Sequence, residues 1–158
     1  MTTLTVAGQE TISLTKPGQY LVQLTQPGAE ANISGVFQAD GQDQTAVEVV
    51  IHHQAPHTNA KTTLKAVARD QAAVKLTGRI IIDQNCGNSN SFLTERVLLL
   101  SDQARAETIP DLEILSDDVK CSHAASISSI SPEQLFYLQS RGLSADQATA
   151  LIVEGFLA

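Results

Sequence analysis

Tryptophan is absent from this chain, and aromatic residues amount to four Phe and two Tyr. An interior built from such a sequence must rely on Val, Ile, Leu and Ala, which suits many thin, repeated layers better than a core organised around large rings. Basic residues are also scarce, 10 Lys and Arg against 17 Asp and Glu for a net charge of -7, and they are dispersed. Without a basic face to neutralise phosphates, nucleic acid is excluded as the main partner. No apolar run approaches the roughly 20 residues of a membrane span, and the opening MTTLTVAGQE has neither a basic nor an apolar leader segment. The expectation is a soluble, cytoplasmic protein with no membrane partner. Only two cysteines occur, Cys86 and Cys121, and without a secretory signal they are expected as free thiols available for metal or redox chemistry.

Catalytic signatures are missing as well. There is no GxxxxGK[ST] phosphate loop, GxGxxG, CxxC or HExxH, and although His52, His53 and His57 cluster, no GxSxG nucleophile elbow accompanies them. The chain is therefore not expected to hydrolyse ATP, run zinc proteolysis or act as a hydrolase by itself, and a length of 158 residues allows one ordinary core without disulfide support.

Strand signals dominate what is present. KPGQ at Lys16–Gln19 and QPGA at Gln26–Ala29 bracket the β-rich YLVQL, and aliphatic or β-branched segments follow through ANISGVFQ, TAVEVVIHH, KTTLKAVA, AAVKLTGRIII, FLTERVLLL and ARAETIPDLEIL. About eight or nine strands are predicted. Asp70-Gln71-Ala72 before one strand returns as Asp102-Gln103-Ala104 before a later one, a hint of stacked coils. Two copies of a tripeptide leave a β-sandwich with independent turns open at this stage.

From Ser131 onward the pattern changes. Ser131 caps, Pro132 takes the first helical position, Gln134 follows three residues after the cap, and Gly142 terminates. Ser144 and Gln147 repeat that start, with Ala148, Leu151 and Ile152 on one stripe before Gly155. The division expected is a β core over 1–128 and a helical region over 129–158.

Between the two lies DDVKCSHAAS, Asp117 to Ser126. On a strand, Cys121 and His123 share a face and Lys120 and Ser122 share the other. A thiol beside an imidazole supplies two ligands where a tetrahedral metal needs four, or three and a water. An enzyme with a local metal centre is thus disfavoured, and any metal chemistry requires help from elsewhere.

The run from Leu98 to Phe156 resembles the C-terminal region of the SufB/SufD family of iron-sulfur cluster assembly proteins, and its SufD branch in particular. The pieces that carry the likeness are LLLSDQA, P-x-LEI, DDVKCSH, EQLFYLQSRG and the closing GF, with weaker similarity upstream through HHQAPHT and RDQAAVKLTGRI. The resemblance implies a right-handed parallel β-helix with a small C-terminal helical region, serving as a non-catalytic scaffold. It implies pairing through the β-helix with a SufB-like chain or an identical copy, and binding of a SufC-type ABC ATPase through the helices. Carried onto this sequence, it makes Cys121 and His123 an interface pair for iron-sulfur assembly. No stably bound cofactor is implied, only a transient iron-sulfur cluster or iron.

The implied ATPase contact runs over Glu133–Gly142 and Ala148–Phe156. It includes Glu133, Leu135, Phe136, Tyr137, Arg141, Gly142, Leu151 and Phe156, with Leu135, Leu138 and Leu151 expected inward and Arg141 and Gly142 outward. Departures from the family pattern are Ala124 and Ser126 in place of its CSHGAT, and the segment QNCGNSNSFLTERV, in which Glu95 and Arg96 are expected to alter the surface. Cys86 matches no family ligand and reads as a turn cysteine beside Gly87. Family members are longer, with more coils, so this chain is expected to be a short or truncated member whose first strands, Leu4–Leu24, cap the solenoid. The alternative is a β-solenoid interaction module without cluster chemistry.

Overall fold

The computed structural model describes all residues, Met1–Ala158. Ten strands precede two helices: β1 Thr2–Val6, β2 Gln9–Leu14, β3 Gly18–Leu24, β4 Glu30–Ala39, β5 Gln44–His53, β6 Asn59–Ala68, β7 Ala73–Ile82, β8 Asn90–Leu99, β9 Arg105–Ile114, β10 Lys120–Ser129, α1 Pro132–Ser140 and α2 Ala145–Leu157. Successive strands alternate between two sheets. The first has the order β1-β3-β5-β7-β9 and the second β2-β4-β6-β8-β10, and every pairing within them is parallel. Two strands per coil and about four coils make a parallel β-solenoid, which removes the sandwich alternative. The short β1 and β2 bring the count above the predicted eight or nine and form the terminal rungs of the two sheets.

Alternation of side chains explains the interior. Along β6, Ala60, Thr62, Leu64 and Ala66 are buried, and along β7 Val74, Leu76, Gly78, Ile80 and Ile82. Residues of equal parity on stacked strands then meet in columns. Ile33, Thr62, Leu93 and His123 form one column, and Ala31, Ala60, Ser91 and Cys121 another. Twenty-five buried apolar residues make one continuous cluster inside the coil. A fully buried aliphatic side chain such as Leu64, Leu76 or Ile80 contributes about 1.5–3 kcal/mol.

The two DQA turns stack as their repetition suggested. Ala73 pairs with Arg105, and the preceding Ala72 and Ala104 are both buried at the corner. Asp70 occupies the left-handed region at φ 52°, where Asp and Asn are the non-glycine residues best tolerated. At the other corner, Thr58 Oγ1 bonds His53 Nδ1 at 2.7 Å and Ser89 Oγ at 2.9 Å, so His53 is a core histidine held by its own turn. Cys86 sits in that corner too, buried, its Sγ 3.6 Å from the His53 carbonyl.

The helices lie across the outside of the second sheet. Val153 of α2 packs on Val67 and Leu98, with Ile152, Phe156 and Leu157 around them. The Arg96 guanidinium stacks 5.2 Å from the Phe156 ring centroid, and Lys65 Nζ donates to the Ala158 carbonyl. The capping box predicted at Ser144 forms in both directions, whereas the Ser131 side chain makes no capping bond. α2 also runs through Gly155 to Leu157.

One helical position is corrected: Leu151 is 49% exposed, and the inward residues of α2 are Ala148 and Val153. At about 100° per residue, Ala148, Ile152, Val153 and Phe156 fall within one arc and Leu151 outside it. The sheet, rather than α1 alone, is what the stripe covers. No helix is long and apolar enough to cross a membrane.

Candidate functional site

β10 is the last strand of the second sheet and β9 the last of the first, so the solenoid ends there with one edge of each strand unpaired. Residues of inward parity at this end have no further coil above them. Leu112 and Ile114 on β9 and Ile127 on β10 are 41–44% exposed. Cys121 and His123 belong to the same inward set, Cys121 partly buried against the core cluster, while Lys120 and Ser122 face out. The pair therefore lies inside the terminal rung, reachable by whatever covers that end, and not on the flank of the coil. Ala124 and Ser126 adopt ordinary strand conformations, with neither among the positive-φ residues, so the Cβ that Ala124 adds is accommodated.

A third side chain completes this cluster. Glu95 on β8 is fully buried, and its Oε2 lies 3.1 Å from His123 Nε2, with side-chain exposures of 0% and 3%. The expectation of Glu95 as a surface residue is thus corrected. It shares parity with the buried Leu93 and Val97, and only Arg96 of the two points outward. The signal was present in that alternation, but Phe92 and Leu93 are adjacent apolar residues, and the phase cannot be chosen until Thr62 and Ser91 fix the columns.

Across the lumen, Gly78 of β7 leaves the space the pair occupies. A Cβ there would stand 2.2 Å from Leu93 Cδ2, 2.8 Å from Glu95 Oε1 and 3.1 Å from His123 Cε1.

Burial sets the electrostatics. It pushes the Glu95 carboxyl up to about 7, raises the Cys121 thiol and lowers His123, because each charged form loses hydration. A neutral imidazole is the ligating form, and a buried thiol ligates only after losing its proton to the incoming metal. His123 Nδ1, Glu95 Oε1, Ser91 Oγ and Thr62 Oγ1 are buried without hydrogen-bond partners. Such orphaned atoms fit a polar occupant. No group of three or more His, Cys, Asp or Glu is arranged to hold a metal within the chain; Cys121 and His123 are two donors of the type a soft or borderline cation takes.

The sequence model of the SUF system FeS cluster assembly SufBD core domain matches residues 9–156. The chain belongs to the SufBD family. Among curated SufBD relatives, an iron-sulfur cluster assembly SufBD family protein of Staphylococcus saprophyticus is 34% identical over 127 residues, 80% of this chain and 27% of the relative. The corresponding proteins of Staphylococcus epidermidis and Staphylococcus aureus are 33% identical over the same coverage. This SufBD chain thus spans about a quarter of the length of the curated relatives it matches.

The remaining expected site residues lie on the helical pair. Glu133, Phe136, Tyr137, Arg141, Gly142 and Leu151 are exposed, Leu135 and Phe156 half-buried. α1 buries no residue completely; Phe136 is 75% exposed, and Tyr137 carries the Arg141 guanidinium 5.3 Å from its ring centroid. Phe156 packs against Val67 and Leu98 of the second sheet, and the others lie on α1, on the turn after it and on the exposed side of α2. His52, His53 and His57 do not converge. His52 pairs with Asp83 at 2.9 Å, His53 is internal, and His57 occupies a turn at φ 61°.

Proposed function

We propose that this SufBD chain acts as a SufD-like scaffold subunit in iron-sulfur cluster assembly. In this reading a second SufB/SufD-type chain covers the open rung of β9 and β10, adding strands to the two unpaired edges and burying Leu112, Ile114 and Ile127. Cys121 and His123 then face a shared seam, and the partner supplies the missing ligands for an iron or iron-sulfur cargo. Thiolate and neutral imidazole suit that cargo. A SufC-type ABC ATPase docks on the exposed face of α1 and α2, and ATP hydrolysis belongs to that partner, the chain itself being non-catalytic.

The observation that carries the reading is the position of a partly buried thiol and an imidazole with an unpartnered Nδ1 on the last strand of an open-ended solenoid. Copurification with a SufC-type ATPase and a SufB-like chain tests the partners. Anaerobic cluster formation by the assembly, compared between parent, Cys121→Ser and His123→Ala, tests the site. Undiminished yield in both variants leaves the alternative of an interaction module.

A further inference from the structure

We infer that Glu95 is a positioning residue for this site: its Oε2 accepts the Nε2–H of His123 and fixes the imidazole in the tautomer that leaves the lone pair on Nδ1 for a metal. The inference rests on reading Cys121 and His123 as a ligand pair.

Four observations converge on it. His123 is the only side chain within hydrogen-bonding reach of Glu95, at 3.1 Å, and both side chains are almost wholly buried. Taking a carboxyl group out of water costs several kcal/mol if it ionises, roughly, and Glu95 has no Lys or Arg to offset it. A leucine in the Leu93–Val97 row would fill the same space at lower cost, so Glu95 does not serve packing. Second, the choice of tautomer is decided by the orphaned nitrogen. A proton on Nδ1 would leave a buried N–H without an acceptor, which folded proteins tolerate less readily than an unused acceptor lone pair. Third, Glu95 sits one rung in from the end, on β8, where an incoming chain meets β10 first. It therefore acts through His123. Fourth, Gly78 opens the lumen at this point and nowhere leaves room for a larger side chain beside the pair.

A carboxylate behind a ligating imidazole orients the ring and raises its basicity, and removal of such a partner costs about 10–100-fold in metal affinity. Glutamine can still accept the Nε2–H through its amide oxygen, whereas leucine cannot.

Long-range 1H–15N correlation spectra of the metal-free protein report the His123 tautomer directly. The parent and Glu95→Gln are expected to show Nε2–H with bare Nδ1, and Glu95→Leu a mixture or the Nδ1–H form. Titration with Co2+ alone, followed by the thiolate-to-cobalt absorption band, should weaken about 10–100-fold in Glu95→Leu and recover most of that in Glu95→Gln. The band should vanish in Cys121→Ser.

An Nδ1–H tautomer in the parent overturns the inference even if Glu95→Leu fails to fold. So does a Cys121-dependent band that Glu95→Leu leaves unchanged. If the tautomer follows Glu95 but the parent gives no thiolate band, the positioning role stands and the ligand reading of Cys121 and His123 fails instead.

Discussion

Gly78→Ala is the smallest change that tests the arrangement of the lumen. The new methyl would stand 2.2 Å from Leu93 Cδ2 and 2.8 Å from Glu95 Oε1. Carbon atoms pack at about 3.5–4.0 Å, so Leu93 must retreat by more than about 1 Å. Leu93 is 1% exposed and part of the continuous core cluster, which leaves it no empty volume. Overpacking of this kind costs about 1–3 kcal/mol, against which the stiffer unfolded chain returns about 0.4–1 kcal/mol. The net expectation is a loss of about 1–2 kcal/mol. For a chain of this size that lowers Tm by about 2–8 °C. Gly155 provides the opposite sign. It lies inside α2 with nothing within 4 Å of its would-be Cβ, so Gly155→Ala should gain about 0.5–1 kcal/mol. Urea unfolding of the two variants beside the parent reads both. Equal or higher stability of Gly78→Ala would refute the close approach of β7 to Glu95 and His123.

The His53 environment predicts a pH effect. Burial, then the neighbouring His52, lowers its pKa from 6.5 to about 4, so between those values the unfolded chain binds the proton and the folded one does not. That contribution is present above the unfolded pKa and lost as pH falls from about 6.5 towards 4, by about 3 kcal/mol. In His53→Asn the disadvantage relative to the parent should shrink across that window in urea titrations; a constant gap would contradict it. Ser144→Ala, which removes a two-way capping box, should cost about 1 kcal/mol. Ser131→Ala, which removes no capping bond, should stay within about 0.5 kcal/mol. Val153→Asp places a charge against Val67 and Leu98 and should release α2, seen as hydrogen exchange rising in 145–157 while β5–β8 stay protected; unchanged protection of α2 would show that Val153 does not anchor it.

Much of the solenoid was legible because its signals are local. Period-two alternation, paired DQA turns and the Ser144–Gln147 cap each depend on residues a few positions apart. The shared face of Cys121 and His123 follows from the same alternation. What could not be read depends on neighbours about one coil away. Glu95 alternates correctly with Leu93 and Val97, yet the adjacent Phe92, 44% exposed, allows the opposite phase. Only the pairing of β8 with β6 and β10 selects one. Leu151 belongs to a plausible stripe, but the surface that α2 covers is the outside of β6 and β8, which no helical pattern specifies. The opening stretch reads as strands, but its division into Thr2–Val6 and Gln9–Leu14 shows only through their partners in β3 and β4.

The columns also determine how this molecule can change. Phe37, Ala66, Val97 and Ile127 stack in one column, and Gly35, Leu64, Glu95 and Ala125 in the next. Leu64 of the next coil occupies part of the volume that Gly35 vacates, its Cδ2 3.0 Å from where the Cβ would be, and the Phe37 ring of the same strand fills the rest at 2.8 Å. An enlarged residue in one coil is relieved by a reduced one in the coil above or below. Compensating substitutions should therefore occur one full turn of chain apart, and drift in the sequence around Cys121 is constrained less by its immediate flanks than by the strand that preceded it in the same sheet.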